Sequence, residues 1–203
     1  MGASAGDGLP GTRIAWPRTL AAKGPQPLRA HHLRFARNAQ PPGALHCFLL
    51  DCSGSMLADA RLALAKGLLL ALFERARVDR HEAALICFSG MRAALRFGPA
   101  VPRWWNERWL QPIGGGGGTP LQTGVDSATQ LLTRAARRKP AQQRWLWVLS
   151  DGRSADTPLR PGAADHVVFV DFERDALRLG RCASLAQAWG GACVRPDELI
   201  AEV

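Results

Sequence analysis

The sequence predicts a doubly wound α/β domain: a mostly parallel sheet with one antiparallel edge strand and helices on both faces. Three observations predict it. Short, near-continuous apolar runs, such as Leu45–Leu50 with its one His46, suit strands buried on both faces. Longer segments with apolar residues at helical spacing follow them. Strand and helix then alternate at the length of βαβ units. With 47% hydrophobic residues in 203, the chain can build a core and is not a disordered tail.

The first strand is expected over Leu45–Leu50, and Leu62, Leu64, Leu68, Leu69, Leu72 and Phe73 mark a helix from Leu57 to Arg77. Ala83–Phe88 reads as a second strand. Ala93–Phe97 follows a turn at Ser89-Gly90 and supplies the antiparallel edge. A Trp-rich stretch (Trp104, Trp105, Trp109) leads into Gly114–Gly118, and Leu121–Arg138 is helical again. Trp145–Leu149 and His166–Val170 read as strands, Leu177–Trp189 as a helix and Ala192–Val194 as a short strand. Pro196 opens a closing helical turn to Glu202, where its missing N–H costs least. These elements place one domain over residues 45–203.

Residues 1–44 form a separate, basic, Pro-rich arm. Pro10, Pro17, Pro25, Pro27, Pro41 and Pro42 exclude a long helix and predict an extended segment. Trp16–Leu20 can dock, and Leu33–Phe35 alternates as an edge strand does. Of the net charge of +9, the arm carries +5 and the rest of the chain +4. Arg outnumbers Lys, which occurs only at 23, 66 and 139, a bias that genome base composition produces as readily as selection for a polyanion. Nucleic-acid binding through the arm is therefore the alternative reading and not the first.

The five cysteines form no C-x-x-C pair and the histidines lack zinc-ligand spacing, which argues against a disulfide scaffold and a structural zinc site. The N-terminus has no basic n-region or apolar h-region, and no apolar run is long enough to cross a bilayer. A cytoplasmic chain is expected.

In open parallel sheets, ligands bind beyond the carboxyl ends of the strands. After the first strand stands Asp51-Cys52-Ser53-Gly54-Ser55, in a loop read as solvated and outside the core. One carboxylate and two hydroxyls at i, i+2 and i+4 are hard oxygen donors that suit magnesium rather than zinc. The bland alternative is an ordinary turn ending in a Ser N-cap. Gly114–Gly118 ends in Thr119-Pro120, with no Lys where a P-loop needs one; the loop is expected to bring the Thr119 hydroxyl close to the first loop, the alternative being a floppy linker. The fourth strand ends in Ser150-Asp151-Gly152, placing another carboxylate at the same edge. Asp51, Ser53, Ser55, Thr119 and Asp151 thus make a five-oxygen set from three loops.

These three motifs resemble the von Willebrand factor type A domain with an intact metal-ion-dependent adhesion site. The resemblance implies that Ser53, Ser55 and Thr119 coordinate Mg²⁺ (or Mn²⁺) through their hydroxyls, with Asp51 and Asp151 acting directly or through water. The sixth position is left for a partner's carboxylate. Within that family, Asp51–Met56, Ala65–Gly67, Ala84–Phe88, Gly116–Leu121 and Leu149–Arg153 resemble the C-terminal domain of the D subunit of magnesium and cobalt chelatases. Ile14–Leu20 and Leu33–Phe35 resemble the segment preceding it in small bacterial chelatase-D-like proteins. The D subunit also carries an AAA+ module and an acidic, Pro-rich linker, whereas this sequence has neither, nor a Walker A motif. The implied role is a non-catalytic accessory to a separate AAA+ ATPase, resembling the chelatase I subunit. That role belongs to metal insertion into a tetrapyrrole of the cobalamin or chlorophyll type, possible partners including the chelatase large subunit. An adaptor to an unrelated AAA+ ATPase is a further alternative.

A hydrolase fits poorly. No G-x-S-x-G elbow is present, a phosphatase nucleophile at Asp51 lacks a second carboxylate at position 53, and the histidines fall away from the strands' carboxyl ends. Cys52 is expected to point away from the ligands into the core, and the three Trp before the glycine loop are candidate interface anchors.

Overall fold

A computed structural model describes residues 16–24, 26–34, 43–103, 120–175 and 178–200. The chain divides into two units, residues 1–41 and 42–203. In the first, α1 spans Trp16–Lys23 and a 3-10 turn Ala30–His32. Leu33 and Arg34 follow without regular structure, so the edge strand expected from Leu33 does not form there; Phe35 lies outside the described residues. The physical reason is local. Thr19 Oγ1 accepts the Arg34 N–H at 2.9 Å, and the Arg34 guanidinium donates to the His31 carbonyl at 2.7 Å.

The second unit is built on six strands: β1 (Ala44–Asp51), β2 (Glu82–Ser89), β3 (Arg92–Ala100), β4 (Gln143–Ser150), β5 (His166–Asp171) and β6 (Ala192–Val194). They stand in the order β3-β2-β1-β4-β5-β6. All neighbours are parallel except β2 and β3, the antiparallel edge the sequence predicts. The helices are α2 (Gly54–Leu57), α3 (Arg61–Val78), α4 (Leu121–Arg138), α5 (Arg181–Ala188) and α6 (Pro196–Ile200).

Alternation along the central strands divides the core into two layers. Leu45, Cys47 and Leu49 of β1, with Ile86, Phe88, Leu146, Val148 and Phe169, face Val125, Ala128 and Leu132 of α4 and Ala186 of α5. Phe48 and Leu50, with Leu85, Cys87, Leu149 and Val170, face Leu62, Ala65, Leu69 and Phe73 of α3. This is why β1 reads as a continuous apolar run: both its faces are covered.

Two predicted helices start late. The chain from Leu57 to Arg77 is not one helix. α2 ends at Leu57, a 3-10 turn covers Ala58–Ala60, and α3 begins only at Arg61, because Asp59 and Ala60 take left-handed φ values of 50° and 57°. α5 begins at Arg181, not 177. The buried Glu173 carboxylate accepts the backbone N–H groups of Leu179 and Gly180, fixing those residues outside the helix.

His46 and His81 meet at the amino end of the sheet. Trp147 Nε1–H donates to His46 Nδ1 at 3.2 Å, so His46 carries its proton on Nε2 and offers it to His81 Nδ1 at 3.2 Å. Burial, reinforced by the neighbouring His81, pushes the His46 imidazole down to about 4. The unfolded chain binds that proton near pH 6.5 and the folded chain only near 4, so stability is lost as pH falls through that window. Urea unfolding should show about 2 kcal/mol less stability at pH 5 than at pH 7 from this group. A His46→Gln variant should have a flatter profile, and an equally steep one would exclude His46 as the cause.

Candidate metal centre

The carboxyl ends of β1 and β4 lie side by side, with Leu50 opposite Leu149. Asp51 is the last residue of β1 and Ser150 the last of β4, so both side chains stand where the two chains leave the sheet. The Asp51 carboxylate is fully buried, which corrects the expectation of a solvated loop outside the core. It sits between β2 and β4, and Cys52 N–H is pinned to the Phe88 carbonyl at 2.8 Å. Asp51 Oδ1 accepts the Ser53 N–H at 2.9 Å, and Oδ2 accepts the Ser150 hydroxyl at 2.7 Å. Cys52 turns into the core beneath α3.

Ser53 stands at the N-cap position of α2, but its side chain makes no capping hydrogen bond. Its Oγ lies instead 3.1 Å from Ser55 Oγ. An octahedral shell with Mg–O bonds of about 2.1 Å has adjacent oxygens about 3 Å apart, so these two hydroxyls already have the spacing of one octahedral edge. Ser53 is buried, Ser55 half-buried and the Gly54 between them exposed, which leaves the pair open to solvent on one side.

Asp151 is also buried. Its Oδ1 accepts the Arg153 N–H at 3.2 Å and its Oδ2 the Arg61 guanidinium at 3.1 Å. Burial raises the Asp51 carboxyl above the usual range; the Ser53 and Ser150 hydrogen bonds oppose that rise and the Asp151 charge adds to it. Two buried carboxylates, one of them paired with Arg61, thus stand at adjacent strand ends with a pair of serine hydroxyls bonded to each other. The donor set is all oxygen, with neither imidazole nor thiolate. Among the described residues, no group of three or more His, Cys, Asp and Glu side chains could hold a metal ion.

The structure therefore brings together Asp51, Ser53, Ser55 and Asp151. Thr119, Gly114–Gly118, Trp104, Trp105 and Trp109 lie outside the described residues. Just beyond Thr119, Pro120 caps α4, and the Gln122 N–H donates to Asp156 Oδ2 at 3.0 Å in the segment that follows Asp151. Sequence reasoning missed Ser150 as a partner of Asp51, and missed Arg61 and Asp175. The available sign for Arg61 was its position, four and seven residues before Ala65 and Leu68 on the buried face of α3.

A six-stranded, mostly parallel sheet with a D-x-S-x-S loop and a second aspartate at adjacent strand ends defines a class of domain. The von Willebrand factor type A domain family matches residues 47–153, over half of the chain, and the chain belongs to that family. The relatives narrow the kinship. "Uncharacterized protein Rv2850c" of Mycobacterium tuberculosis is 35% identical over 79% of this chain and 27% of its own length. The "Magnesium-chelatase 67 kDa subunit" of Chlorobaculum parvum is 34% identical over 78% of this chain and 29% of its own. The "Magnesium-chelatase 60 kDa subunit" of Rhodobacter capsulatus is 38% identical over 52% and 18%. The chain thus spans less than a third of the length of these relatives. Among solved structures, an aerotolerance-related membrane protein of Bacteroides fragilis superposes with a TM-score of 0.62 at 20% identity, covering 78% of this chain and 96% of that one. The SpRpn10 VWA domain gives 0.53 at 11% identity, covering 79% and 95%. These two show the shared fold. No helix among the described residues is long and apolar enough to cross a membrane.

Proposed function

We propose that this chain is a cytoplasmic, non-catalytic, Mg²⁺-dependent protein–protein interaction module. It docks onto an AAA+ ATPase of the chelatase I-subunit type during metal insertion into a tetrapyrrole. The observation that carries the proposal is the Ser53–Ser55 hydroxyl pair, freed from capping and held beside Asp51, with Asp151 following the adjacent strand end. The kinship with magnesium-chelatase subunits supports the choice of partner.

In this reading Ser53, Ser55 and Thr119 would supply hydroxyl ligands, with Asp51 and Asp151 acting directly or through water. Asp51 keeps its orientation through the Ser53 N–H and Ser150 hydroxyl, which consume one direction on each oxygen and leave others free. When bound, Mg²⁺ supplies an open position that a partner's Asp or Glu fills. The chain itself contributes the shape and charge of the socket; ATP hydrolysis belongs to the partner.

The test is co-purification of the tagged chain with an I-type ATPase subunit, in Mg²⁺ and in EDTA. Wild type and Thr119→Ser should retain the partner in Mg²⁺ and release it in EDTA. Asp51→Ala and Thr119→Val should fail to retain it in either. Full retention by both of those variants would place the contact on another surface.

A further inference from the structure

Arg61 is buried, with only 3% of its side chain exposed, at the first position of α3. Three carboxylates from three segments surround its guanidinium: Asp151 after β4 at 3.1 Å, Asp175 after β5 at 3.2 Å, and Asp59 of the preceding turn at 3.3 Å. Its Nε is buried without a hydrogen-bond partner, and the turn leading into it holds two consecutive left-handed residues, Asp59 and Ala60. A buried ion pair rarely outperforms apolar packing of the same volume, and left-handed backbone at a non-glycine residue is costly. Packing alone does not account for a cation held at this point.

The charges at the site suggest what it does. Asp175 is neutralised by Arg153, whose Nη2 lies 2.8 Å away, and Asp59 is 69% exposed and screened by water. The buried charges that remain are Asp51, Asp151 and Arg61, a net single negative. A divalent cation converts that to a net single positive. Without Arg61 the same cation would leave the site neutral.

We infer that Arg61 is a resident counter-cation that weakens the site's own hold on Mg²⁺ and keeps the loaded site positive, so that it recruits an anionic group from a partner. The inference rests on the reading of the Ser53–Ser55 loop as a cation site. It makes Arg61 a positioning residue with two opposite effects: it commits one Asp151 oxygen to an ion pair, and it strengthens the pull on an incoming carboxylate.

The experiment measures Mn²⁺ affinity by electron spin resonance, and then acetate binding to the Mn²⁺-loaded protein by water-proton relaxation. The proteins are wild type, Arg61→Gln, Arg61→Lys and Asp175→Asn. Arg61→Gln should bind Mn²⁺ about tenfold more tightly, the scale of one nearby unit charge, and bind acetate several-fold more weakly. Arg61→Lys, which keeps the charge, should stay near wild type in both. Asp175→Asn changes a partly exposed residue and serves if Arg61→Gln fails to fold. Removing a compensating negative charge, it should weaken Mn²⁺ binding and strengthen acetate binding. If Arg61 were only a structural clamp, both Arg61 variants would lose Mn²⁺ affinity and Asp175→Asn would not move the two affinities in opposite directions; either outcome overturns the inference. A wild-type chain that binds no Mn²⁺ overturns the cation site itself, and this inference with it.

Discussion

Asp51→Ala should abolish Mn²⁺ binding, a loss of at least about a hundredfold, because it removes the carboxylate that a divalent ion at the serine pair has closest by. It should also destabilise the cation-free protein. The Ser53 N–H and the Ser150 hydroxyl both donate to Asp51, and an alanine methyl leaves two buried donors without an acceptor. Each such group costs about 1–3 kcal/mol, less whatever local relaxation recovers. Mn²⁺ spin resonance and urea unfolding in EDTA measure the two effects separately. Asp51→Asn keeps one acceptor oxygen and should recover part of the stability but little of the metal binding. Unchanged Mn²⁺ affinity in Asp51→Ala would remove Asp51 from the site.

Gly98→Ala should be the most destabilising single-methyl addition in the sheet, by about 3 kcal/mol or more. Gly98 has a φ of +78°, and a Cβ there would sit 2.0 Å from the Ala83 carbonyl oxygen and 2.9 Å from Ala84 Cα. Both obstacles are backbone of β2, which neither rotates nor retreats. The position coincides with a bulge: Ala83 pairs with Ala100 but Leu85 with Phe97, so β3 carries one extra residue across that step. Thermal unfolding of the variant checks it. A loss below about 1 kcal/mol would mean that β3 can shift at its edge without cost.

The sheet was legible in the sequence because its inner strands leave no choice. Ala83–Phe88 is apolar throughout and Leu45–Leu50 apolar but for His46, and both appear within two residues of their expected limits as β1 and β2. The helix Leu121–Arg138 forms over the predicted span, where a wide apolar stripe meets one face of the sheet. The breaks were not legible. Nothing local in Leu57–Arg77 forbids a continuous helix, and the left-handed pair Asp59 and Ala60 accompanies a tertiary demand: Arg61 bonds to Asp151, ninety residues away. The same is true of α5, whose start depends on Glu173 reaching the Leu179 and Gly180 N–H groups. The candidate site divides in the same way. Asp51, Ser53, Ser55 and Asp151 are conspicuous as polar residues closing apolar strands. Ser150 and Arg61 act through contacts that exist only once β1, β4 and α3 are assembled.

That assembly has a kinetic side. Asp51 and Asp151 lie a hundred residues apart in the chain and come together only through the β1–β4 pairing, which closes a long loop. The nascent or denatured chain therefore offers a divalent ion no pocket, only scattered hydroxyls and carboxylates. Whatever free energy the cation contributes accrues to the finished native state by mass action. A cation bound there would act as a brake on unfolding and give no help to the search for the fold, if the site closes after the folding barrier.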